Sequence, residues 1–192
     1  MFSMDTELHQ RTLALLDRMT RVMVTDSHHE GLKPAQWETL RYLNRANRFS
    51  RTPGALTFYL NVTKGTVSQT IKTLANRNLV SKKPAASDKR MVRLELTDAG
   101  RKMLDHDPLS RIEFAVAQLP EKTVRSLAAG MTALIEARND IDQQHAFGIC
   151  GYCRHFKRIT QRGYPFHCQL LDESLTSRDA EMICVKYQPE HS

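Results

Sequence analysis

No cysteine occurs before residue 150 of this 192-residue chain, and no apolar run approaches the roughly 18 residues that cross a bilayer. The second absence excludes a membrane-spanning class. The first ten residues carry Asp5 and Glu7 and lack the apolar core of a secretory signal, so a cytoplasmic location is expected. Without secretion, a framework of disulfide staples is disfavoured, and metal or redox chemistry becomes the better default for the late cysteines. No glycine-rich phosphate loop, H-E-x-x-H run or Ser/His/Asp order with a local signature is present, so no enzyme is expected. Internal repeats and low-complexity tracts are absent too.

Acidic residues are scarce in one place. Residues 61–104 hold ten Lys/Arg against three Asp/Glu, which gives +7, the net charge of the whole chain. A basic block on a folded domain implies a polyanionic partner, because Lys and Arg displace counterions from phosphates. A solvated basic face is the plainer alternative from charge alone.

Periodicity organises the chain. Leu8, Leu15, Leu16, Met19, Val22 and Met23 recur on one face of a helix expected over 5–29, stopped by Gly31. Lys33-Pro34 opens a second helix, whose apolar residues are Trp37, Leu40, Tyr42 and Leu43. Thr52-Pro53 starts a third, and Thr63 caps a fourth over Lys64 to about Asn76. Residues 80–83 and 91–96 read as strands, the second alternating through Val92, Leu94 and Leu96. The turn-rich stretch between them makes a hairpin with a basic tip. Helices are expected again over 98–118, kinked or broken by Pro108, and over 121–145. The last carries Val124, Leu127, Ala128, Met131, Leu134, Ile135 and Ile141 as one stripe. One chain has too little material to bury this stripe and that of the first helix together, so a homodimer is the economical solution, with packing inside one chain as the alternative.

Residues 55–76 have the layout of a helix-turn-helix. Ala55, Leu56 and Leu60 line the first helix, Val62 sits in the turn, and Val67, Ile71 and Leu74 form the inner stripe of the second. Lys64, Thr66, Ser68, Gln69, Lys72, Thr73 and Asn76 are left outward, with no carboxylate among them. That set suits a major groove: Gln pairs with adenine, hydroxyls reach bases or phosphates, and Lys reaches guanine or phosphate. In the hairpin, Lys82, Lys83, Lys89 and Arg93 are placed for phosphates, Arg90 for a narrow minor groove, and Asp88 to hold Arg90 in position.

The run VTKGTVSQTIKTLANRNLVSKKPAASDKRMVRLELTDAGRKML resembles the MarR family. Asp88-Lys89-Arg90 matches its D-x-R wing motif, LVSKKP the strand entering the wing, LTDAGR the exit into the next helix, and LKPAQWETLRYL its second helix. The resemblance spans about residues 5–145. It implies a mainly α winged helix-turn-helix fold with a small β-hairpin wing and long dimerisation helices. It further implies a homodimeric regulator on a pseudo-palindromic duplex, with an effector cleft between the dimerisation helices and the winged part. Gly65, early in the reading helix, and the long tail depart from the pattern.

The chain is accordingly divided into 1–145, DNA-binding and dimerisation, and 146–192, a small Cys-rich appendage after a linker near 143–148. Cys150, Cys153, Cys168 and Cys184 follow C-x2-C-x14-C-x15-C. The close pair can grip one metal in a tight turn and two distant thiolates can complete the set. A zinc ribbon has two close pairs; this tail has one. The spacing and the aromatics Tyr152, Phe156, Tyr164, Phe166 and Tyr187 resemble high-potential iron–sulfur proteins, so a [4Fe–4S] cluster held by all four cysteines is preferred over zinc. A disulfide switch and simple packing thiols are the other readings. His155 and His167 are read as surface or supporting residues. The expectation is a DNA-binding regulator, a repressor first with an activator left open, modulated by a metal or redox centre. Its rivals are a structural zinc clip with a small-molecule effector, a thiol redox protein, and an architectural module without sequence choice.

Overall fold

The computed structural model describes residues 4–84, 92–142, 147–159 and 163–189. Helix α1 (Met4–Asp26) is followed by a turn in which Glu30 and Gly31 both take positive φ, at 51° and 65°. The reversal is therefore built from two left-handed residues, not from Gly31 alone. Helix α2 (Pro34–Arg45) begins on its proline, and α3 (Pro53–Leu60) is capped by Thr52. Helix α4 (Lys64–Asn76) is capped by Thr63, whose Oγ1 accepts the Thr66 N–H. Asn61, left-handed at φ 50°, turns the chain between α3 and α4.

Strands β1 (Val80–Pro84) and β2 (Val92–Leu96) form the antiparallel wing, in register from Val80↔Leu96 to Pro84↔Val92. Leu94 N–H also donates to Arg51 O at 2.7 Å, tying the wing to the loop before α3. Trp37, Leu40, Tyr42, Leu43, Leu56, Val67, Ile71, Leu74 and Leu94 form the core beneath. Every inward residue assigned from periodicity in α2 and α4 is buried.

The expected helix over 98–118 is three pieces: α5 (Asp98–Met103), a 3-10 turn (Leu104–His106) and α6 (Ser110–Ala117). Pro108 breaks it, and the regular α-helix is already lost at Leu104. Helix α7 (Glu121–Asp142) follows. Leu8, Leu15 and Met19 on α1, and Leu127, Leu134 and Ile135 on α7, stay exposed in the single chain.

The tail is built from short pieces. Strand β3 (Gly148–Ile149) pairs with β7 (Ile183–Cys184). Between them lie a 3-10 turn (Cys150–Tyr152), the sheet β4 (Phe156–Arg158), β5 (Phe166–Cys168) and β6 (Glu173–Leu175), and α8 (Ser177–Ala180). It is docked on the winged part. Ile183 lies in the same core as Trp37 and Leu43, and Asn47 N–H donates to Ile183 O at 2.9 Å. The end of the expected linker is itself packed: Phe147 meets the Tyr59 ring edge-on with centroids 5.2 Å apart, and Gly148 lies in β3.

Candidate nucleic-acid interface and thiol centre

The reading face starts with α4. Val67, Thr70, Ile71 and Leu74 are buried, so the opposite face is forced outward. Lys64, Thr66, Ser68, Gln69, Lys72 and Asn76 are exposed and Thr73 is half-buried. Two of the hydroxyls are already engaged. Thr66 Oγ1 shares a 2.9 Å hydrogen bond with Thr63 Oγ1, and Thr73 Oγ1 donates to Gln69 O at 3.0 Å. Ser68, Gln69 and the two lysines are therefore the better placed groups for a ligand. Gly65 stands at the open N-terminal end of α4, where a Cβ would meet only Thr63 Oγ1 at 3.7 Å.

The wing and α4 share one concave surface. A cleft of about 340 Å³ is lined by Pro53, Gly54, Thr57, Lys64, Val67, Ser68, Ile71, Lys82 and Val92. Lys64 and Lys82 thus face one depression from the helix and from the hairpin. Lys83 is paired with Glu95 across the wing, a pairing the sequence pattern did not suggest. Asp88, Lys89 and Arg90 lie outside the described residues. Arg77, at the end of α4, donates to Gly31 O at 2.9 Å and Glu30 O at 3.1 Å, so it secures the α1–α2 turn.

Residues 30–91 match the MarR family. They run from the α1–α2 turn through α4 into the wing, so this is the MarR-like part of the chain. Solved structures extend the likeness. MepR of S. aureus in complex with DNA is 22% identical, covers 65% of this chain and 96% of its own, and has a TM-score of 0.52. FabT of Streptococcus pneumoniae in complex with DNA is 19% identical, with coverage of 70% and 99% and a TM-score of 0.54. A MarR transcriptional regulator of Methanosarcina mazei Go1 is 21% identical, with coverage of 70% and 99% and a TM-score of 0.55. No curated protein matches the chain. The likenesses establish a MarR-like winged-helix fold with a small additional C-terminal β region.

That additional region gathers the cysteines. All four are buried and none forms a disulfide. Cys150, Cys168 and Cys184 pack with Leu175 in a second core, against Phe49, Phe156, Phe166, Leu171 and Tyr187. Burial first, then the neighbouring Cys184, Cys168 and Cys153, pushes the Cys150 thiol up to about 12. Backbone amides approach two of the sulfurs: Lys186 N–H donates to Cys184 Sγ at 3.4 Å and Gln188 N–H to Cys153 Sγ at 3.5 Å. Among the described residues, no three His, Cys, Asp or Glu side chains are arranged to hold a single metal ion. His155 Nε2 is 2.8 Å from Gln188 Oε1, and His167 Nε2 is 3.3 Å from Asp172 Oδ1, so both are engaged by neighbouring polar side chains.

The joint between the MarR-like core and the tail is polar. Arg48 donates to Asp179 Oδ2 at 2.8 Å and to Ser174 O at 2.5 Å, with its guanidinium 4.5 Å above the Phe49 ring. Val185 N–H donates to Ser50 Oγ at 2.9 Å, and that hydroxyl donates to Asn47 Oδ1 at 2.7 Å. These joint residues read as an ordinary turn in the sequence. The available signal was a polar run, Asn47 to Arg51, interrupted by Phe49 just before a cap.

Proposed function

We propose that this chain is a sequence-specific DNA-binding transcriptional regulator of MarR type, a repressor rather than an enzyme, acting in the cytoplasm. One observation carries the reading: the outward face of α4 and the wing strand line one depression with an apolar floor, with Lys64 and Ser68 on one side and Lys82 on the other. A duplex offers phosphates on the two walls of a major groove, and lysines on two elements reach both while Ser68 and Gln69 face the base edges. Two of the structural neighbours, MepR and FabT, were solved with DNA, which supports the same use here. No helix among the described residues is long and apolar enough to cross a membrane.

The functional unit is a homodimer on a pseudo-palindromic site. The exposed leucines and Ile135 on α1 and α7 support this, because two long helices with apolar stripes need a partner. Selection from a random duplex library, followed by binding in excess competitor DNA, tests the whole reading. A two-fold related motif that survives competitor is expected. Equal affinity for all duplexes would instead identify an architectural module.

A cleft of about 400 Å³ favours a small-molecule effector as well. It is lined by Thr25, Asp26, His28, His29, His106, Asp107, Pro108, Ser110 and Arg111, between the end of α1 and the start of α6. An effector there would act on the angle between the dimerisation helices and the reading head.

A further inference from the structure

We infer that Cys150, Cys153, Cys168 and Cys184 ligate one [4Fe–4S] cluster, and that Asn47 of the winged part donates a hydrogen bond to the Cys184 thiolate. All four thiols are closed off from water, and three of them share one small core, where side chains without sulfur chemistry would pack as well. Ionised together they would repel one another strongly, so they need a cationic centre to become thiolates. A zinc ion would draw its four ligands to one point. A cubane instead spreads its thiolates over four separate iron corners. The turn that joins Cys150 to Cys153, with Cys153 N–H donating to Cys150 O at 3.1 Å, supplies the adjacent pair. Phe156, Phe166, Phe49 and Tyr187 form an apolar shell of the kind that shields a cluster from water.

Asn47 supplies an independent observation. It is fully buried. Its Oδ1 accepts from Phe49 N–H at 3.2 Å and from the Ser50 hydroxyl at 2.7 Å, which fixes the amide's orientation. The other end, Nδ2, is buried without a hydrogen-bond partner. A buried amide N–H left unpaired is costly. Cys184 is the sulfur beside it: the Asn47 backbone N–H donates to Ile183 O at 2.9 Å, and Cys184 is the next residue along β7. A neutral thiol is a poor acceptor, and a metal-bound thiolate is a good one. The backbone amides of Lys186 and Gln188 face sulfurs that the apolar core alone would not ask them to face, and the orphaned donor is buried next to the strand that carries Cys184.

The site is coupled to the reading head by adjacency. Ile183, next to Cys184, sits in the winged-helix core, and Val185 is held by Ser50. Loss of the cluster releases the strand that completes the corner between α2 and α3. The contacts of the tail lie at the α2–α3 corner. This regulatory consequence rests on the DNA-binding reading; the cluster itself does not.

The test uses the full chain, purified without oxygen and treated with ferrous iron and sulfide. About four iron and four sulfide per chain, with broad visible absorption, are expected. Cys153→Ala and Cys168→Ala should each lose the colour while the helical far-ultraviolet signal persists. Asn47→Asp keeps the Oδ1 contacts and replaces the donor by a negative charge. It should still take up the cluster and shift its midpoint potential to more negative values. A colourless chain carrying one zinc and refusing iron and sulfide would overturn the assignment, as would a Cys150–Cys153 disulfide in its place. An unshifted potential in Asn47→Asp would overturn the role of Asn47. On the same samples, the selected duplex should bind at least about five-fold differently with and without the cluster. Equal binding overturns the coupling and leaves the cluster standing, whereas no sequence preference in either sample refutes the DNA-binding reading alone.

Discussion

Arg41 and Asp107 are joined by a two-pronged ion pair, Arg41 Nε donating to Asp107 Oδ2 at 2.7 Å and Nη2 to Oδ1 at 2.6 Å. Both side chains are largely shielded, at 19% and 14% exposure. Asp107 Oδ1 also accepts the Leu109 N–H at 2.8 Å, so one carboxylate ties α2 to the break that leads into α6. Asp107→Asn keeps an acceptor for Leu109 but removes the charge that Arg41 needs. Chemical denaturation should show a loss of about 1–3 kcal/mol, at the lower end if water reaches the freed guanidinium. DNA affinity should fall with it, because this bridge ties α2 of the winged part to the segment that leads into α6.

Leu134→Glu addresses the dimer directly. Leu134 is 47% exposed in the single chain and stands on the same α7 as Leu127 and Ile135. Placing a carboxylate in an apolar helix seam costs about 3 kcal/mol, on the order of a hundred-fold in dimer dissociation constant. Sedimentation velocity should find monomer at concentrations where the wild type is dimeric. Unchanged mass would mean that α7 faces solvent.

Gln69→Ala and Lys72→Ala should separate base reading from backbone attraction. The first is expected to cost about 1–3 kcal/mol at one base pair and little elsewhere. The second should weaken all duplexes alike and lower the salt slope of binding by about 1. Fluorescence anisotropy over a salt series checks both. A Gln69→Ala protein with wild-type preferences would mean that α4 lies in the groove in another register.

Gly100→Ala tests close packing behind the wing. A Cβ there would lie 2.0 Å from Leu79 O, and backbone cannot swing aside as a side chain can. The substitution should cost about 1–3 kcal/mol or more, read as a lowered urea midpoint with the slope unchanged.

Tyr42→Phe removes a buried donor to Ser50 O at 2.7 Å and should cost about 1–3 kcal/mol at neutral pH. Burial first, then Tyr59 and Cys184, raises the Tyr42 phenol above its ordinary value of 10.0. The folded state therefore holds that proton longer than the unfolded chain does. Stability from this group is complete below about pH 10 and falls as pH rises beyond it. Wild type should lose stability in that alkaline range more steeply than Tyr42→Phe, as thermal melts would show.

The reading head was legible because its signals are local. Thr52, Thr63 and Thr97 each cap the helix they precede, and the alternation through Leu94 and Leu96 fixes which side of the wing is buried, while Val92 on the same side stays exposed. Pro108 announced a break but not its breadth, since the 3-10 turn from Leu104 depends on tertiary packing. The tail resisted reading because its structure comes from long-range pairing. Nothing near Ile183 says that it fills the core under Trp37, and nothing near Arg48 says that it reaches Asp179. The four cysteines stand out in the sequence by their spacing, whereas the unpartnered Asn47 amide required three dimensions to find.

Because Ile183 fills a gap among residues laid down far earlier in the chain, synthesis must run about ninety residues past the wing before the core beneath α2 and α4 is closed. Chains cut short ahead of that isoleucine should carry every outward side chain of α4 on a core left open, a dependence of the early-made half on the late-made one.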